Sequence, residues 1–188
     1  MVKGRRRKNV RPARVLKSET LFRGRVFDVR RDRVIEPSGV NVVRETIRHP
    51  GAVVVLPVLA DGRIVLIRQY RHAVGQYLWE LVAGRKERGE GFSVGARREL
   101  QEETGYRARR IKKLVTIFPS PGLLRERTEI FVAEGLTKGA PRPEDDEKIT
   151  SRIFTLREAE RWIHTGRITD AKSVAGILYY ATFAARKR

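Results

Sequence analysis

The 188-residue chain carries 41 lysines and arginines against 22 aspartates and glutamates, a formal charge of +19. With 40% hydrophobic residues it has material for a buried core, and with no cysteine it has no disulfide, thiolate metal site or cysteine nucleophile. No apolar run reaches the ~18 to 20 residues of a membrane span, and the basic start lacks the apolar segment of a secretory signal, so a cytoplasmic protein with no membrane partner is expected.

Eight positive charges precede Glu19, and residues 1–18 read as a flexible basic arm. The surplus continues beyond the arm, so the whole chain favours anionic partners, nucleotides or nucleic acid. Only five Asn and Gln residues and one Met accompany this charge, a balance expected of a thermophile. "RGRVFDVRRDRVIEP" and "NVVRETIRHP" alternate apolar and polar residues about the turn Pro37-Ser38-Gly39 and predict a strand pair. Asp61-Gly62 between two β-branched runs predicts a hairpin. "KKLVTIF" and "TEIFVAEG" predict two more strands. A helix is expected over Val94–Thr104, with Ser93 as N-cap and Gly105 closing it in the left-handed conformation. Thr155 and Glu158 have capping-box spacing for a second helix that stops at Gly166. A third follows Asp170 with Val174, Ile177, Leu178, Ala181 and Ala185 on one side. Strands and helices interleave without βαβ spacing, which favours a mixed-sheet sandwich in the α/β class.

The first helix poses a problem. Glu99, Glu102 and Glu103 stand at i, i+3 and i+4, where like charges repel by about 0.2–0.5 kcal/mol per pair. Arg97 and Arg98 offset part of this. A divalent cation offsets it better, since Mg²⁺ takes oxygen ligands from carboxylates and substrate phosphates together.

The spacing is specific. Gly84, five residues, Glu90, seven residues, then Arg98-Glu99-Leu100-Gln101-Glu102-Glu103-Thr104-Gly105 resembles the Nudix hydrolase signature at every fixed position. "RETIRHPGAVVVLPV", "IRQYRHAVGQYLWELVAGR", "FPSPGLLRERTEIFVAEGL" and "ITDAKSVAGILYY" are similar to the ADP-ribose pyrophosphatase branch, across roughly residues 20 to 185. Beyond the basic arm at 1–18, the resemblance implies an α/β/α sandwich with a mixed sheet, an N-terminal β segment at 19–48 that serves a homodimer, and a hydrolase domain at 49–188. It also implies Mg²⁺ (Mn²⁺ as an alternative) held by Glu99, Glu102, Glu103 and the Gly84 carbonyl. Glu90 would support the site, Arg98 would orient the glutamates, and Leu100 would face the core.

The implied reaction is hydrolysis of ADP-ribose, a nucleotide sugar, to AMP and ribose 5-phosphate. Pro121 lies sixteen residues beyond Gly105, the branch's position for a proline at the adenosine pocket. Arg68 and Arg71 are candidate phosphate contacts, because a guanidinium forks onto phosphate oxygens. Arg85, Glu80 and Glu126 complete the substrate-binding set. Among Glu144, Asp145, Asp146 and Glu147, the resemblance points to Glu147 as the general base. Val82 departs from the proline the branch commonly carries there. Competing readings are another nucleoside diphosphate sugar or dinucleotide (GDP-mannose, FAD), or an RNA-binding or RNA-processing protein using the basic arm.

Overall fold

The computed structural model describes residues 11–142 and 148–185. These form two units, one reaching His49 and including Ser120–Arg125, the other made of Pro50–Pro119 and the chain from Glu126 onward.

The first unit is a four-stranded sheet in the order β1-β2-β3-β9, with β1 at Arg14–Arg23, β2 at Asp28–Ile35, β3 at Asn41–Arg48 and the two-residue β9 at Leu124–Arg125. The predicted pair is β2 and β3, turning at Gly39 with φ +89°. β1 starts inside the stretch expected to be a flexible arm. Periodicity missed it because the strand buries almost nothing. Its ladder to β2 sets Glu19 opposite Arg31, and Ser18 bonds Asp32 and Arg30, so polar pairs hold it.

In the second unit, β4 (Ala52–Pro57), β7 (Val82–Arg85), β8 (Tyr106–Ile117) and β10 (Thr128–Lys138) form a mixed sheet in the order β7-β4-β10-β8, and β4 runs parallel to β10. β4 is buried throughout, as a central strand covered on both faces should be. A second sheet has the order β11-β5-β6, with β5 at Ile64–Arg71, β6 at Gln76–Glu80 and β11 at Thr150–Phe154. Helix α1 (Phe92–Thr104) packs Ala96 and Leu100 with Val53, Val55, Ile67 and Phe131. Helices α2 (Leu156–His164) and α3 (Ala171–Tyr179) close the other core, around Val54, Leu56, Ile130, Phe154 and Ile177. This is the expected α/β/α arrangement.

Helix ends follow local chemistry. α1 begins two residues earlier than predicted, with Gly91 as N-cap and no side-chain cap from Ser93. Its far end is as predicted: Gly105 has φ +74°, and a Cβ there would lie 2.3 Å from the Gly139 carbonyl oxygen. Thr155 caps α2 by accepting from Glu158 N–H at 3.1 Å. α3 rotates relative to the predicted stripe, burying Ser173, Gly176 and Ile177 while Leu178 is exposed. The helix approaches Leu81 and Ile130 too closely at Gly176 for a larger residue, so small residues define the inner face. No helix among the described residues is long and apolar enough to cross a membrane.

Candidate active site

The turn from β7 into α1 gathers the carboxylates. Glu99 and Glu103 are buried, one turn apart, on the face of α1 that meets β7. Glu103 accepts the Ala83 N–H at 3.2 Å, a donor on the outer edge of the edge strand β7. Glu99 presses against Gly84: a Cβ built there would lie 2.0 Å from the carboxylate carbon. Gly84 is therefore a cradle that only a residue without a side chain can form. Gly95 does the same for Glu90, whose Oε2 would sit 2.7 Å from a Cβ.

Arg98 ties the carboxylates together. Its Nε reaches Glu90 at 3.1 Å, its Nη1 reaches Glu99 at 2.7 Å and Glu102 at 2.8 Å, and its Nη2 donates to the Arg85 carbonyl at 3.2 Å. Burial disfavours the charged guanidinium, but the bonds to Glu90, Glu99 and Glu102 outweigh it and raise the pKa. For Glu90, burial pushes upward, and the bonds from Arg98 and the Glu87 N–H win, holding its carboxyl below the usual value. Among the described residues no three acidic or imidazole groups form a ready cage; in this arrangement Arg98 supplies the positive charge between Glu99 and Glu102. The donor set still fits a hard divalent cation, because it consists of oxygens alone and Glu99 lies directly against Gly84.

A buried ion pair lies in the same unit. Glu80 is fully buried and receives Arg71 through both oxygens, at 2.8 and 2.7 Å. These bonds raise the Arg71 pKa against the opposing effect of burial, and Glu103 and Asp170 add attraction. Glu80 thus orients Arg71, another member of the predicted substrate-binding set. Arg68 lies over the Tyr77 ring at 5.0 Å, and Tyr70 meets Tyr77 edge-on at 5.4 Å. Glu126 accepts from the Thr128 hydroxyl at 2.7 Å. Arg85 is exposed, and only its carbonyl joins the Arg98 network. Pro121 belongs to the first unit, in the turn before β9. Glu147, with Glu144, Asp145 and Asp146, lies outside the described residues.

The family model of the NUDIX domain matches residues 48–176. The chain belongs to the Nudix family. Among similar proteins, the ADP-ribose pyrophosphatase of Bacillus subtilis is 34% identical, covering 88% of this chain and 91% of its own. The Mycobacterium tuberculosis enzyme of the same name is 37% identical, at 87% and 80%. The methanol dehydrogenase activator of Bacillus methanolicus is 38% identical, at 88% and 91%. A solved structure of an ADP compounds hydrolase superposes with a TM-score of 0.82 over 96% of this chain and 98% of that one, at 23% identity, and so shares the fold. Nudix hydrolases use a divalent metal, which matches the all-oxygen donor set.

Two features escaped the sequence reading. Gln69, on β5 between the two candidate arginines, is buried with its Nε2 unbonded, and nothing in the spacing flags it. The second is a chain of bonds from α3. Asp170 caps the helix by accepting Ser173 N–H at 2.9 Å and the Ser173 hydroxyl at 2.6 Å, and that hydroxyl accepts Leu81 N–H at 2.7 Å. The Asp170-Ser173 pair at a helix start could have signalled the cap, but only the fold brings Leu81, the neighbour of Glu80, to it. Burial pushes Asp170 upward, and Lys172 with the Ser173 bonds lowers it below its usual value. This contribution to stability is present above the unfolded aspartate pKa and is lost as pH falls through the folded value. Ser173→Ala strands the buried Leu81 N–H and should cost about 1–3 kcal/mol in urea unfolding, with stability near neutral pH falling and its acid dependence flattening. Unchanged unfolding would remove the bond's structural role.

Proposed function

We propose that this chain hydrolyses the diphosphate of ADP-ribose to AMP and ribose 5-phosphate, with Mg²⁺ held by Glu99, Glu102, Glu103 and the Gly84 carbonyl. The observation that carries the reading is the Arg98-tied carboxylate cluster lodged against Gly84. Likeness to two proteins named ADP-ribose pyrophosphatase, over more than four-fifths of the chain, supports the substrate. All-oxygen donors favour Mg²⁺, and Mn²⁺ fits the same set.

When bound, the cation supplies charge against the diphosphate and lowers the pKa of water. The protein's own part is placement. Glu90 anchors one edge of Arg98, leaving its other N–H groups to fix the glutamate rotamers. Arg71, oriented by Glu80, directs its remaining donors at a phosphate, and Arg68 and Arg85 add positive charge. Glu147 takes the proton from the attacking water, and Glu126 meets the substrate.

Incubation with ADP-ribose and Mg²⁺, followed by chromatography, should yield AMP; no AMP rejects the reading. Faster turnover of GDP-mannose or FAD in the same assay would reassign the substrate within the class. We also assign a homodimer built on the first unit. There Val15, Phe22, Val26, Phe27, Val40 and Val43 are all exposed on or beside a small sheet, apolar side chains that a second copy would cover. Light scattering should give twice the 21.6 kDa chain mass; a monomer overturns this. The arm's residues 1–10 lie outside the described residues, and nucleic-acid binding through the arm predicts an affinity that falls steeply with salt and is lost when residues 1–18 are removed.

A further inference from the structure

We propose that the outer edge of β8, with the helical turn that follows α3, forms a binding surface for single-stranded nucleic acid, separate from the glutamate helix. β8 is the free edge of its sheet. Within seven residues it carries Arg107, Arg109, Arg110, Lys112 and Lys113, all exposed. Glu134 pairs with Arg110 and Glu129 with Lys113, while Arg107, Arg109 and Lys112 have no carboxylate partner among the described residues. The strand spreads this charge over about 20 Å at ~3.3 Å per residue, with Lys112 opposite Val132 on one face of the sheet and Lys113 opposite Phe131 on the other. Cations spaced along a strand neutralise successive phosphates.

Charge on an edge strand has a simpler use, since it blocks pairing with another sheet. It does not explain what lies beside it. α3 runs into a π-helical turn, Tyr180–Ala184, a rare geometry that is frequent at functional sites. Together they wall a cavity of about 400 Å³ whose lining includes Lys112, Lys113, Tyr179 and Phe183. Tyr179 and Phe183 form a tilted ring pair 5.0 Å apart, and Phe183 is 59% exposed with no buried role. The volume is in the range that holds a planar ligand, and an exposed ring beside unpaired lysine is the arrangement on which bases stack while phosphates are neutralised. In sequence these groups are some 70 residues apart (Lys112 to Phe183). Only the fold joins them. The cavity opens on the Val132 face of the sheet, whereas α1 packs on the Phe131 face.

The proposal does not depend on the substrate of the glutamate site. Its test is fluorescence anisotropy of a labelled, unstructured RNA of about 15 nucleotides with the full chain, at several salt concentrations. Phe183→Ala should weaken binding about tenfold by removing one stacking platform. Lys112→Gln should reduce the slope of log affinity against log salt by about 0.7, one phosphate contact on a single strand. A duplex of equal length should compete poorly. Circular dichroism melting should match wild type in both variants, because neither side chain is buried. Equal affinity for Phe183→Ala, or equal competition by duplex, would overturn the proposal and leave the arm or diffuse charge as the cause. So would absence of RNA binding by the wild type.

Discussion

Glu103→Gln is expected to lower kcat on ADP-ribose by at least about a hundredfold, since even outer-shell changes around a metal cost 10- to 100-fold, while the melting temperature barely moves. The reasoning rests on what the amide keeps. Gln retains the length of Glu and an oxygen to accept Ala83 N–H, the contact at 3.2 Å that seats residue 103 against β7. What disappears is a negative charge that is 5% exposed and set beside Glu99 and the Gly84 cradle. A glutamate placed only to cap the Ala83 N–H would tolerate that change, because the bond to the backbone survives. A cation ligand would not. The second readout is Mn²⁺ affinity by electron paramagnetic resonance, expected to weaken in step with kcat. Glu102→Gln should have the smaller effect, as its side chain is 37% exposed and reaches Arg98 from the rim. Full activity in Glu103→Gln would remove the metal site from α1.

How much of this was legible beforehand follows from where each signal resides. The glutamate helix announced itself because its spacing is local: i, i+3 and i+4 fall on one face of any helix. Gly105 was readable for the same reason, a glycine just past a periodic run. Gly84 was found by pattern, but the reason for a glycine there appeared only with the structure, where the Glu99 carboxylate occupies the place of a side chain. β1 was missed because alternation signals burial, and this strand is held by polar cross-strand pairs instead. The stripe on α3 was misplaced for a related reason. Large apolar residues were counted, whereas close packing of helix on sheet selected Ser173 and Gly176. The grip of Glu80 on Arg71 through both oxygens joins residues nine apart on paired strands, and no local spacing marks it. Contacts between residues distant in sequence, such as Ser173 with Leu81 or Lys112 with Phe183, have no linear signature.

Arg71→Leu is expected to destabilise the fold by about 3 kcal/mol, the lower end for breaking a buried pair. The Glu80 side chain is 1% exposed, so removing its partner leaves a charge that water cannot reach. The Arg71 side chain is 38% exposed, and its own desolvation is partial, which keeps the cost from the upper end. Adding Glu80→Leu should recover much of the loss, since a buried ion pair replaced as a pair is often neutral in stability. Activity should separate from stability at this point. If Arg71 only completes the fold, the double variant regains wild-type kinetics along with its melting temperature. If Arg71 also meets the diphosphate, KM for ADP-ribose stays raised about tenfold or more after stability returns, the worth of one charge-assisted bond. Urea unfolding and steady-state kinetics on the two variants decide between these outcomes. A double variant with both properties restored would take Arg71 out of the binding site, leaving phosphate recognition to the cation and the other arginines.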